Sequence, residues 1–125
     1  VPVAMPPLAR ALAIQSKASK VGFDWGSPDP VFEKIDEEIT EIRDAVHSGD
    51  RGAVEEEVGD LLFSVINLSR LLGVDPTRAL SGTNARFTSR FGEMERRITD
   101  EGSRIEDKSL RELDEVWESV KSQRR

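Results

Sequence analysis

The chain has no cysteine, which excludes a disulfide framework, a thiol nucleophile and a zinc–thiolate site, and fits a reducing compartment. Metal chemistry, if there is any, must then use oxygen ligands. Histidine occurs once, as His47, so the Glu-x-x-His motifs of a di-iron bundle are missing too. There is no run of the about eighteen apolar residues that a membrane span needs. The candidate, Val58 to Leu72, is broken by Asp60, Asn67 and Arg70. Positive charge is in short supply: the net charge is −6 with 34% charged residues, which argues against a broad footprint on duplex nucleic acid but leaves room for local basic clusters that hold phosphates. No signal peptide is visible, and the first residue is Val1 rather than Met, as in a trimmed chain or a piece of a longer two-domain one. Strand-like alternation and internal repeats are absent as well. What remains is a soluble, cytoplasmic, all-α domain of 125 residues, large enough for a core, with no membrane and no nucleic-acid partner.

What is present reads as about five helices. After a Pro-containing lead-in (residues 1–7), Leu8 to Val21 forms a short helix with Leu8, Leu12 and Ala18 inward. Gly22 to Pro30 is a loop, because its glycines and prolines forbid helix. Its aromatics, Phe23 and Trp25, either plug a core edge or approach a planar ligand. Asp29-Pro30 starts a second helix in which Val31, Phe32, Ile35, Ile39, Ile42 and Val46 recur at three-and-four spacing, ending near Ser48-Gly49. Val54 to Leu72 is a third, with Val54, Val58, Leu61, Val65, Leu68 and Leu72 on one wide face, Phe63 and Ile66 pointing elsewhere, and apolar residues on most of its circumference. Asp75-Pro76 opens a long fourth helix with Leu80, Phe87, Phe91, Met94 and Ile98 inward. Residues 99–108 form a polar loop. Ser109 and Glu112 then make a capping box for a last helix carrying Leu110, Leu113, Val116, Trp117 and Val120.

Acids embedded in the third helix carry the chemistry. Glu57, Asp60, Ser64 and Asn67 fall within about 80° of one another around the helix. That strip either faces solvent or holds a ligand. Glu38 and Glu41 repeat the three-residue offset on the second helix, beside its apolar seam. Fifteen residues separate Glu41 from Glu57, enough for a helix end, a tight turn and a return that sets the two pairs opposite each other. Four converging carboxylates repel unless cations lie between them, and Mg²⁺, a hard ion that prefers oxygen, is the expected occupant, with Mn²⁺ as the substitute. Glu55, two residues from Glu57, points to the opposite side. On the fourth helix, Asn84 is either a satisfied core amide or a ligand contact. Arg86, Arg90 and Arg97 share a face with Glu93, either as surface ion pairs or as forks for phosphate.

The ordered set VGFDW (21–25), EEITE (37–41), VEEEVGDLLFSVINLSRLLGVDP (54–76), NARFTSRF (84–91) and EVWESVK (115–121) resembles the MazG family. It is similar to the second of the two tandem copies that many bacterial members contain. The resemblance implies an all-α nucleoside triphosphate pyrophosphohydrolase with an E-x-x-E, spacer, E-x-x-D metal motif, serving house-cleaning or control of the nucleotide pool. It further implies Mg²⁺ ligation by Glu38, Glu41, Glu57 and Asp60, a supporting role for Glu56, a catalytic base in Glu38 or Glu41, and a homodimer or larger assembly. For the substrate it implies roles for Arg86 and Arg90 toward the triphosphate and for Trp117 and Lys121 near the nucleotide, with Asn84 in the same signature. Two positions depart from the pattern: Arg86 stands where lysine is common, and Ala53 where some members carry a lysine. The alternatives are a narrower dUTPase, dCTPase or phosphoribosyl-ATP pyrophosphatase, or a nucleotide-binding helical module without turnover.

Overall fold

The structure, a computed structural model, describes residues 1–123. Five α-helices occur in the order α1 (Pro7–Lys20), α2 (Asp29–Ser48), α3 (Arg51–Leu71), α4 (Pro76–Asp100) and α5 (Leu110–Gln123). Among the described residues there is no strand, and no helix is long and apolar enough to cross a membrane. The expected boundaries hold to within a few residues, and a 3₁₀ turn at Ile105–Asp107 interrupts the expected loop.

Local chemistry sets the helix ends. Gly49 closes α2 in the left-handed region at φ 74°, where side chains other than glycine's are strained. The next residue, Asp50, caps α3 by accepting a hydrogen bond from the Ala53 backbone N–H at 3.1 Å. Two long helices joined by two residues and packed on each other must run antiparallel. At α5 the capping box forms in both directions: the Glu112 N–H donates to Ser109 Oγ at 3.2 Å, and the Ser109 N–H to Glu112 Oε1 at 3.0 Å.

Contacts divide the chain into two units, Val1–Ala79 and Leu80 onward. In the first, α3 packs against both α2 and α1, and Val31, Ala45 and Ile66 are the buried apolar residues. This corrects the expected inward face of α3. Val58, Val65 and Leu72 are exposed, while Ser64 and Ile66, on separate sides of the helix, are buried. Neighbours on two sides select those positions rather than one continuous stripe. In the second unit Met94, Ile98 and Val120 form the core, with Ile105, Leu113, Val116 and Trp117 packed on it. Only the C-terminal half of the expected α4 seam is therefore buried; Leu80 and Phe87 are exposed, and Phe87 stacks on Phe91 at 5.9 Å and meets Trp117 at 5.2 Å.

Ile98 is 0% exposed, so Ile98→Ala should cost about 2–5 kcal/mol by urea denaturation. Ser109→Ala, which removes one capping acceptor, should cost about 1 kcal/mol with an unchanged denaturant slope.

Candidate metal centre

The α2–α3 hairpin brings three of the four expected acids together. Glu38, Glu41 and Glu57 each offer a carboxylate oxygen, and these atoms lie within 4.8 Å of one another. Glu38 is only 2% exposed, Glu57 is half-buried and Glu41 exposed. Asp60, one turn beyond Glu57, is exposed and stands outside that close group, but it lines the adjoining cleft. Glu56 and Glu55 are exposed.

Burial and like charge set the electrostatics. Burial alone would raise the Glu38 pKa, but the Lys34 ammonium and the hydrogen bond with Glu57 outweigh it and hold Glu38 below its ordinary value. Lys34 Nζ lies 3.1 Å from Glu38 Oε1, and its own pKa is raised chiefly by that hydrogen bond. Glu57 takes the opposite course. A hydrogen bond with Glu41, then burial, then Glu38 push it up to about 7.

One oxygen on each of two acids, Glu38 Oε2 and Glu57 Oε2, is buried without a hydrogen-bond partner. A buried acceptor left unpaired is costly, and a small divalent cation satisfies several such oxygens at once. The donor set, all carboxylate, therefore fits Mg²⁺ or Mn²⁺ and does not fit a soft metal.

Beside the acids opens a cleft of about 710 Å³, whose walls include Phe23, Trp25, Lys34, Glu38, Asp60, Ser64 and Asn67. Asp60, Ser64 and Asn67 of the polar strip of α3 thus face the cleft. The two loop aromatics do not plug a core edge: Phe23 is 81% exposed and Trp25 is also exposed. Three charged cleft residues are not singled out by the sequence pattern. Lys34 had a local signal in its four-residue offset from Glu38, whereas Asp24 and Arg70, which pair across 46 residues, had none.

The remaining expected residues lie on the second unit. Asn84 is exposed, which removes the core alternative for it. Arg97 is held by Glu93 Oε1 at 3.2 Å and donates to Ser119 Oγ at 3.1 Å. Arg86 donates to Thr83 Oγ1 at 3.0 Å, Arg90 is half-buried, and Lys121 Nζ lies 3.8 Å from Glu118.

An all-helical chain with a carboxylate cluster on a helical hairpin, beside a cleft with exposed rings, defines a class of helical proteins whose donor set fits a divalent cation. Residues 27–93 match the MazG nucleotide pyrophosphohydrolase domain. The chain belongs to that family. It is 47% identical over 117 residues to a Thermotoga maritima protein named nucleoside triphosphate pyrophosphohydrolase/pyrophosphatase MazG, covering 94% of this chain and 45% of that one. It is 42% identical over 127 residues to the Escherichia coli nucleoside triphosphate pyrophosphohydrolase, covering 98% of this chain and 48% of that one. The chain thus spans about half the length of the curated relatives it matches.

The Glu57 shift has a sign that can be checked. Folding raises its pKa from 4.5 to about 7, so the folded state keeps a proton that the unfolded state releases. Stability from this group is full below about pH 4.5 and is lost as pH rises toward 7. The shifts at Glu38 and Glu112 are downward and act at lower pH. The metal-free melting temperature should therefore fall between about pH 5 and pH 7. Scanning calorimetry should find that fall abolished in Glu57→Gln and retained in Glu55→Gln.

Proposed function

We propose that this chain hydrolyses nucleoside triphosphates to the monophosphate and pyrophosphate, with a divalent cation, Mg²⁺ or Mn²⁺, held by Glu38, Glu41, Glu57 and Asp60. The observation that carries this reading is the pair of buried, unpartnered oxygens on Glu38 and Glu57 at the edge of a cleft with exposed aromatic rings. The names of both relatives point to the same reaction. A bound divalent cation supplies positive charge for the phosphates and lowers the pKa of water.

The chain's own groups do the rest. Water attacks the α-phosphorus, its proton passes to Glu38 or Glu41 as general base, and the α–β bond breaks so that pyrophosphate leaves with the bonding electrons. Glu38 suits proton acceptance because Lys34 keeps it ionised. Lys34, lining the cleft, also offers charge toward the phosphates. Glu56 stands beside the ligands as a supporting acid. A part in substrate binding for Asn84, Arg86, Arg90, Trp117 and Lys121 rests on the family resemblance. The assembly is a homodimer or larger: Val58, Leu62 and Val65 of α3 and Leu72 just after it are all exposed, Leu62 at 59%, more apolar surface than a helix normally shows to water.

Incubated with Mg²⁺ and a panel of NTPs and dNTPs, the chain should release pyrophosphate and the monophosphate, resolved by ion-exchange chromatography. Orthophosphate with the diphosphate, in the absence of added pyrophosphatase, would contradict the assignment. Light scattering at micromolar concentration should give at least twice the 13.9 kDa chain mass; a purely monomeric mass would rule out the assembly.

A further inference from the structure

The cleft contains a second polar centre, distinct from the acids. Asp24, in the loop between α1 and α2, and Arg70, in the last turn of α3, meet as a two-pronged pair. Arg70 Nη1 donates to Asp24 Oδ2 at 2.9 Å and Nη2 to Oδ1 at 2.6 Å. Both side chains are sheltered, at 15% and 20% exposure, and Asp24 is held well below the usual carboxylate range, mainly by the Arg70 hydrogen bonds. A bidentate guanidinium–carboxylate pair fixes orientation as well as distance.

Two consequences follow for the cleft wall. Asp24 Oδ1 also accepts from the Trp25 backbone N–H at 2.8 Å, so the pair fastens the loop at the residue whose ring lines the cleft. Arg70 Nη2 in addition donates to Asn67 Oδ1 at 2.9 Å. A guanidinium has donors only, so Asn67 must turn its oxygen toward Arg70. Its amide N–H groups are left for whatever enters the cleft that Asn67 lines.

We propose that Asp24, Arg70 and Asn67 form a base-positioning unit. Asp24 and Arg70 are positioning residues that hold the Phe23–Trp25 loop in place for a flat ring. Asn67 is a binding residue that donates a hydrogen bond to an acceptor on that ring, a carbonyl oxygen or an unprotonated ring nitrogen of a nucleobase. The inference rests on the reading of the cleft as a nucleoside triphosphate site. It places base recognition on the same α3 strip as Glu57 and Asp60, two to three turns further along.

The test uses Asn67→Ala, Asp24→Asn and Arg70→Lys, the last keeping the charge but losing the fork. Each should raise KM for the preferred triphosphate by about tenfold or more while changing kcat by less than about threefold, as expected when binding away from the reacting centre is lost. An independent readout is calorimetric binding of a nucleoside monophosphate against ribose 5-phosphate, which lacks the base. The wild type should bind the nucleotide more tightly, and the variants should close that gap while leaving Mg²⁺ affinity unchanged. A wild type that does not distinguish the two ligands, or a gap that survives in the variants, overturns the proposal. If Asp24→Asn or Arg70→Lys fails to fold, Asn67→Ala decides alone. If the wild type releases no pyrophosphate from any triphosphate, the proposed function fails, and the comparison of the two ligands still decides the base-positioning role.

Discussion

Three carboxylates held within 4.8 Å of one another constitute the constraint on which the first unit of this chain depends. Like charges at that distance repel, and Glu38 is buried, so the cluster persists only if something offsets the charge. The metal-free chain uses two devices: the Lys34 ammonium at 3.1 Å from Glu38, and a proton retained by Glu57, whose pKa is pushed up to about 7. The Lys34 contact reaches Oε1 of Glu38, while Oε2 of Glu38 and Oε2 of Glu57 are buried without a hydrogen-bond partner. A divalent cation would replace the proton and satisfy those oxygens together, which links the cost of forming the hairpin to the binding of the ion.

Holding the acids in register falls to the shortest connection in the chain. Gly49 in the left-handed region and Asp50 as the α3 cap complete the turn between α2 and α3 in two residues. With so little slack, helical phase alone decides which side chains face each other. The same phase carries the polar strip along α3, from Glu57 through Asp60 and Ser64 to Asn67, so that one helix face supplies acids at one end and an oriented amide at the other. Of the exposed apolar residues on this helix, Phe63 lines the cleft, whereas Val58, Leu62 and Val65 lie on other sides of it, so a partner that covers those three need not close the cleft.

Much of this was legible in the sequence because it is governed by local rules. The helix starts at Asp29-Pro30 and Asp75-Pro76 follow from cap and proline chemistry, the capping box of Ser109 and Glu112 from a three-residue spacing, and the opposition of Glu38 and Glu41 to Glu57 from the short stretch that joins α2 to α3. The misreadings have a common cause. Periodicity says which residues share a helix face but not how many neighbours a helix has, so it turns Ile66 away from the packed side of α3 and puts Leu80 and Phe87 inside, whereas Ile66 is buried and the other two are exposed. Long-range polar pairing is invisible for a related reason. Nothing near Asp24 in the sequence indicates that its partner lies 46 residues later, and the burial of Glu38 became apparent only once α2 and α3 were packed.

Diffraction at the manganese absorption edge, from crystals equilibrated with Mn²⁺, tests whether this carboxylate cluster holds a divalent cation. An anomalous peak is expected within ligand distance of the carboxylate oxygens of Glu38, Glu41 and Glu57. A fully equilibrated crystal with no peak there, or with manganese held only by other residues, would contradict it.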